Sequence, residues 1–234
     1  MLKQSMQILV ALWLMMCGTI GHAADPIDCI MSQDYQNARD LELNKASKYL
    51  QQHRAAQTTN DRVFFWRKPA PVDAILFDVD ETLLSNWPEI KQTKCMYDPA
   101  SWNDWLNRAS AEAIPASIKL LKLAQQQDYA IVLMTGRPER YRQATIDNLT
   151  AAGITGWNKL IMKKGDEKKL TPCKYKAKNR ALMEKNYRII MNIGDQLSDF
   201  CGSNNGIIIK LPNPFYTIPT LADRTDTPSK SKNQ

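Results

Sequence analysis

Asp78 and Asp80 stand two residues apart in Phe77-Asp78-Val79-Asp80-Glu81-Thr82, directly after an apolar run. Two carboxylates held close are what nucleophilic and acid/base work on one substrate requires. Period-two backbone at a strand end sends both to one side and turns Glu81 away. Three further clusters follow apolar runs or open helices. Met134-Thr135-Gly136-Arg137 sets a hydroxyl beside a backbone N–H without a side chain at a helix start, which makes a cradle for an anion. Lys176 falls in the first turn of a helix beginning near Tyr175. Gly194-Asp195-Gln196-Leu197-Ser198-Asp199 puts two carboxylates four apart at another helix start. These are hard oxygen donors, suited to Mg²⁺ rather than zinc. Singly, each cluster has a bland account: an Asp-rich turn, an ordinary Thr-Gly strand exit, an N-cap with a solvated partner. Together and in order, they point to chemistry on an anionic substrate held beside a hard cation.

The elements that must position these groups alternate. Apolar runs at Asp73–Asp78, Tyr129–Met134, Leu160–Met162, Tyr187–Ile193 and Gly206–Leu211 predict five strands. Helical patterns cover 32–57 (with Leu41, Leu43, Ala46, Tyr49 and Leu50 as its apolar residues), Pro115 to about Gln127, Glu139–Ala152 ended by Gly153, and Tyr175–Glu184. Strands alternating with helices argue for an α/β chain with a mostly parallel sheet covered on both faces. In such sheets ligands bind outside the carboxyl ends of the strands, where the clusters would converge. Residues 83–113 lack a long apolar period and read as an inserted cap or lid. Its Trp87, Tyr97, Trp102 and Trp105 either pack that segment onto the core or stack on an aryl group or nucleobase.

Of the 234 residues, the first stretch has the order of a secretory signal: Lys3, an apolar run from Ile8 to Ile20, then Gly21, Ala23 and Ala24. The run is shorter than the ~20 residues of a spanning helix, so a membrane anchor is not expected in the mature chain. Cys17 after Leu14-Met15-Met16 loosely resembles a lipoprotein cleavage box, against which the bulky Met16 counts. Cleavage after Ala23 or Ala24 is expected. The segment 1–23 carries one Lys and no acid, so its loss takes the formal charge from +7 to +6. A domain at 24–221 would remain, followed by a polar, disordered tail at 222–234. The lysines between Lys163 and Lys178 lack the aromatic interleaving of a nucleic-acid surface and read as a mild positive field around an anion site. Nothing in the pattern specifies an oligomer.

Cys29, Cys95, Cys173 and Cys201 would survive cleavage, an even number that in an exported chain suggests two disulfides. Position favours Cys173–Cys201, beside the Lys176 and Asp195 motifs, which leaves Cys29 for Cys95. Ordinary buried thiols are the alternative. With His53 as the one histidine past the leader, a zinc site, a histidine phosphatase and a serine triad all lack material.

The ordered set Asp78-Val-Asp-Glu-Thr82, Thr135-Gly-Arg137, Lys176 and Gly194-Asp-Gln-Leu-Ser-Asp199 resembles the four motifs of the haloacid dehalogenase superfamily. Ala74 to Asn86, Tyr175-Lys-Ala-Lys-Asn-Arg180, Tyr187-Arg-Ile189 and Lys210-Leu-Pro-Asn-Pro214 narrow the likeness. They resemble acid phosphatases related to plant vegetative storage proteins, grouped with the bacterial class B and class C enzymes, over about residue 70 to Pro219. The resemblance implies a three-layer α/β fold with a small inserted cap, and hydrolysis of small phosphate monoesters with Mg²⁺ by an exported enzyme. It implies Asp78 as nucleophile and metal ligand, and Asp80 as general acid/base with its carbonyl on the metal. Thr135, Gly136 and Lys176 would bind phosphate. Asp195 would bind metal, with Asp199 in support. The rivals are a phosphotransferase of the same fold and a catalytically idle storage or binding protein.

Overall fold

The computed structural model describes residues 29–58 and 71–219. The expected leader and the tail from Ala222 lie outside the described residues. In chain order the elements are α1 (Gln33–Thr58), β1 (Val72–Phe77), β2 (Leu84–Ser85), α2 (Trp87–Gln92), α3 (Pro99–Arg108), β3 (Glu112–Ala113), α4 (Pro115–Gln126), β4 (Ala130–Pro138), α5 (Arg142–Ala151), β5 (Lys159–Lys163), α6 (Pro172–Met183), β6 (Tyr187–Gly194) and β7 (Ile207–Lys210). Short 3₁₀ turns at Glu139–Tyr141, Gly165–Lys169 and Leu197–Phe200 complete the set.

Five strands form one sheet in the order β5-β4-β1-β6-β7, every pairing parallel. The chain builds outward from β1 through β4 to β5, then returns to β6 and β7 on the other side. The switch in direction therefore falls at the carboxyl end of β1, where such sheets hold ligands. Both faces are covered, so the strands are apolar on both sides. Ile75 and Phe77 of β1, with Ile131 and Leu133 of β4, join the larger core that includes Leu43, Ala46 and Leu50 of α1 and Leu120 of α4. Ala74, Leu76, Val132 and Met134 face a second core with Tyr175 and Met183 of α6. Between β1 and α4, the chain makes a two-stranded antiparallel ribbon, β2 with β3, that brackets α2 and α3.

Several expected boundaries move. β4 runs on to Pro138, so Thr135 and Gly136 sit in an extended strand end and not at a helix start; the helix follows a 3₁₀ turn and opens at Arg142. α6 begins at Pro172, because the Thr171 hydroxyl caps the Lys174 N–H and Pro172 takes the first position. Lys176 is thus in the second turn. Asp195 precedes and Asp199 lies within a short 3₁₀ turn instead of opening an α-helix, and Cys201 lies just past it. On α1 the buried residues are Tyr35, Arg39, Leu43, Ala46 and Leu50, while Leu41 is exposed. The two disulfides are Cys29–Cys95 and Cys173–Cys201, the pairing that position favoured, with Cα separations of 5.7 and 5.3 Å.

Candidate active site

One residue past β1, the Asp78 N–H still donates to Ile193 of β6 (2.9 Å), which fixes the start of the next turn. The Val79 carbonyl then accepts from Leu83 and Leu84, closing a tight loop in which Glu81 takes φ of 53°. That left-handed backbone, unusual for a residue with a side chain, breaks the period of two. Glu81 therefore folds inward instead of turning away. Its carboxylate is buried and accepts from Asn86 N (2.7 Å), Asn86 Nδ2 (3.1 Å) and the Tyr216 hydroxyl (2.6 Å). Burial, then Asp80 and Asp195, push Glu81 up to about 8.

At the centre, one carboxylate oxygen from each of Asp78, Asp195 and Asp199 lies within 4.8 Å of the others, and all three residues are buried. Lys176 reaches in from α6 and donates to Asp78 Oδ1 and to Asp199 Oδ1 (2.5 Å for the latter). Burial raises the Asp78 carboxyl well above its usual range; Lys176 opposes that, while Asp199, Asp195 and Asp80 add to it. Burial also lowers Lys176, but Asp199 and Asp78 outweigh it and keep the ammonium firmly protonated. Asp195 accepts from Gln196 Nε2 (2.6 Å) and Asn213 Nδ2 (2.7 Å), yet burial and Asp199 leave it at about 6. Gly194 has a steric reason here: a Cβ at that position would fall onto the Asp199 carboxylate.

Asp80 belongs to a neighbouring but different set. Arg137 grips it with Nη2 at 2.7 Å and Nε at 3.0 Å from Oδ1, joined by Asn86 Nδ2 at 3.0 Å and the Thr135 hydroxyl at 3.2 Å from Oδ2. Burial pushes Asp80 up, but Arg137 and these hydrogen bonds more than offset it and hold the carboxyl below its ordinary value. The Thr135 hydroxyl is fully enclosed, accepting from Arg137 N while donating to Asp80. Gly136, by contrast, is exposed, with open space where a Cβ would stand.

A cavity of about 680 Å³ joins these groups, lined by Asp78, Asp80, Gly136, Lys176, Asp195 and Asp199 at one end. Residues of α2, α3 and the loop between them, among them Ile90, Tyr97 and Trp102, line it too, as do Arg140, Lys163, Lys168 and the segment 216–219. Trp105 is instead buried, its indole N–H on Asn86 Oδ1 (2.8 Å), and Trp87 packs against Phe215. The oxygen-only donor set fits a hard divalent cation: three enclosed carboxylates face one ammonium, and the surplus negative charge is what such an ion offsets.

The sequence-predicted residues thus meet at one cavity except Thr135, which stands behind Asp80. Motif reading assigned no role to several neighbours. Arg180 lies four residues past Lys176, on the same helix face. Its fully buried guanidinium holds the carbonyls of Asp199 (2.5 Å), Cys201 and Ser203 (3.3 Å). Ser198 is buried beside Asp199 with an unbonded Oγ. Arg137 sits inside a quoted motif, and its spacing could have suggested a partner for Asp80. Tyr216 lies 135 residues from Glu81, a distance no local pattern bridges.

A doubly covered parallel sheet with paired aspartates past its central strand, further aspartates past the neighbouring β6 and a lysine on the helix before β6 defines a haloacid-dehalogenase-like α/β fold. The chain belongs to the HAD superfamily, subfamily IIIB (acid phosphatase), whose family model matches residues 29–219. It is 39% identical over 151 residues to acid phosphatase 1 of Solanum lycopersicum, covering 62% of this chain and 59% of that one. It is 32% identical over 176 residues to vegetative storage protein 1 of Arabidopsis thaliana, covering 70% of this chain and 64% of that one. The chain thus spans about three fifths of the length of these relatives. The class C acid phosphatase of Bacillus anthracis shares the fold, with a TM-score of 0.63 and 24% identity over 91% of this chain and 85% of that one.

Proposed function

We propose that this chain is an exported, Mg²⁺-dependent acid phosphatase that hydrolyses small phosphate monoesters through a phosphoryl group carried on Asp78. The observation that carries the reading is the convergence of Asp78, Asp195 and Asp199 with Lys176 in one cavity. An Asp78 oxygen attacks phosphorus, the bond to the ester oxygen breaks, and Asp80 supplies the proton that oxygen needs to leave. Acid pH and the incoming phosphate charge must first place that proton on a carboxyl that Arg137 holds ionised in the free chain. Water then attacks the phospho-aspartate, Asp80 takes its proton, and inorganic phosphate departs. Lys176 and the backbone N–H at Gly136 hold the phosphoryl oxygens, while Thr135 and Arg137 hold Asp80 in place. Bound Mg²⁺, held by Asp78, Asp195 and the Asp80 carbonyl with Asp199 in support, would offset the charge of nucleophile and phosphate. Residues 83–113 act as the cap. The two disulfides fit a chain matured in an oxidising compartment, as the leader at 1–23 implies.

The vegetative storage proteins among the relatives favour a second reading, an idle storage protein. Asp78, Asp80, Lys176 and Asp195 are all present here, a set that storage alone does not need. Phosphate release from phenyl phosphate at acid pH decides between them. Turnover that is lost on exhaustive chelation and restored by Mg²⁺ is expected. Absence of turnover with Mg²⁺ present overturns the enzyme reading, and full turnover after chelation overturns the metal.

A further inference from the structure

Three cations that line the cavity have no part in the chemistry above: Arg140 in the 3₁₀ turn after β4, Lys163 at the end of β5, and Lys168 in the 3₁₀ turn before α6. They stand on adjoining segments. Lys163 is in register with Pro138, two residues before Arg140, and its ammonium donates to the carbonyl of Leu170 (3.2 Å), two residues past Lys168. The acids of these same segments are all engaged away from the cavity. Glu139 pairs with Arg142 (2.6 Å), Asp166 with Lys169 (3.3 Å) and Glu167 with Lys178 (3.1 Å), and none of those three cations lines it. On the rest of the lining, Asp80 pairs with Arg137, Glu89 with Arg108, and Asp98 caps α3. Arg140 is left with Asn103 Oδ1 at 3.5 Å and the Tyr141 ring, and Lys163 with the Leu170 carbonyl and the Tyr175 ring. Lys168 has no ion pair among the described residues. Arg140 and Lys168 are exposed and Lys163 is half-buried, so a ligand in the cavity has access to them. Burial and the Lys176 ammonium both work against the Lys163 charge, with Glu167 opposing them. Charges of one sign that face a cavity focus their field there and draw an anion in.

In the phosphatase reading, Lys176 and Gly136 hold the phosphoryl group that reacts. Resting on that reading, we propose that Arg140, Lys163 and Lys168 form a second anion site, for a phosphate carried on the leaving alcohol. Bisphosphates of diols and sugars are then preferred to monophosphates of the same alcohols. Charge-assisted hydrogen bonds from ammonium and guanidinium to phosphate oxygens supply the preference.

The test is kcat/KM at fixed free Mg²⁺ for 1,3-propanediol and 1,6-hexanediol, each as its monophosphate and its bisphosphate. Wild type should favour one or both bisphosphates over the matching monophosphate by roughly tenfold or more, as contacts to a charged group allow. The triple variant Arg140→Met, Lys163→Met, Lys168→Met should bring that ratio within about threefold and leave the monophosphates near wild type. Lys163→Arg keeps a cation and should keep the preference. Should the triple variant fail to fold, Arg140→Met with Lys168→Met alters exposed side chains only, and should still lower the ratio by about threefold. If these cations serve the reacting phosphate instead, mono- and bisphosphates lose alike and the ratio is unchanged, which overturns the second site. A wild-type chain that turns over the monophosphates but favours neither bisphosphate overturns this proposal alone. A chain that turns over none of the four overturns the phosphatase reading with it.

Discussion

Strand β1 carries an aspartate at each end, and the two live in different worlds. Asp73, near its start, pairs with Arg188 of β6, whose side chain is 64% exposed. Asp78, just past its end, pairs with Lys176, and both side chains are less than a tenth exposed. The first pair crosses neighbouring strands with its guanidinium mostly in water and its carboxylate 16% exposed. The second sits among three carboxylates that compete for one ammonium. Equal chemistry at the two ends therefore serves different purposes: the amino end adds a little stability, and the carboxyl end gathers surplus negative charge that a bound cation would offset. The arrangement follows from topology, since the switch in strand order opens its crevice at the carboxyl end alone.

The sharpest way to break this contrast is Asp78→Asn. An amide is nearly isosteric but cannot attack phosphorus, so kcat should fall by about a thousandfold or more, at least 4 kcal/mol in the barrier. The melting temperature of the metal-free chain should not fall, because the substitution removes a buried charge that burial already disfavours. Turnover within tenfold of wild type sinks the assignment of Asp78 as nucleophile. Lys176→Met comes next. Loss of an electrostatic donor to the transition state costs on the order of 10²–10³ in kcat. Here the loss also leaves Asp78 and Asp199 facing each other unpaired, so the variant should be less stable as well. A variant with near-normal kcat would make Lys176 a structural cation only.

A smaller effect distinguishes stored charge from ordinary pairing. In the metal-free chain, burial and Asp199 push the Asp195 carboxyl from 3.8 to about 6. A carboxyl whose folded value lies above its unfolded one favours folding below the lower value, and that contribution is lost as pH rises through the higher one. Between about pH 4 and pH 6, stability in EDTA should therefore decline at this group, and Asp195→Asn should melt higher than wild type at pH 7. Mg²⁺ should raise the wild-type melting temperature, by binding the folded state alone, and raise that of Asp195→Asn much less. Equal Mg²⁺ responses in the two chains would remove Asp195 from the metal site.

How much of this was written in the sequence depends on the range over which each signal acts. The strands were legible because burial on both faces makes them continuous apolar runs, as in Ala74–Phe77 and Ile131–Met134. The Asp78, Lys176 and Asp195 clusters were legible because topology delivers each at a strand end or on the helix before one. What escaped depended on local backbone or on distant partners. Glu81 turned inward because of one left-handed residue that a period of two cannot foresee. The Thr171-Pro172 start of α6 was a cap signal in plain view, though the helix was expected to begin at Tyr175. Arg137 looked like a motif's third letter until its grip on Asp80 made it the group that sets that carboxyl's charge. Tyr216 reached Glu81 across most of the fold.

The smallest effect belongs to the amino end of β1, and it tests the contrast from its other side. Arg188 meets Asp73 in a two-point contact, Nε to Oδ1 at 2.5 Å and Nη2 to Oδ2 at 2.8 Å, in register across β1 and β6. Two-point geometry is the favourable form of a surface pair. The guanidinium is nonetheless mostly in water, where such pairs contribute only about 0.2–1 kcal/mol. Arg188→Met should therefore lower the unfolding free energy by about 0.5 kcal/mol, leave kcat and KM for phenyl phosphate unchanged, and shed most of its effect in 1 M salt, where charges are screened beyond ~3 Å. Denaturant midpoints at low and high salt, read with turnover on the same samples, provide the measurement. A loss above about 2 kcal/mol that salt does not reduce would mean that the amino end is bound as tightly into the fold as the carboxyl end, and the division of labour along β1 would have to be given up.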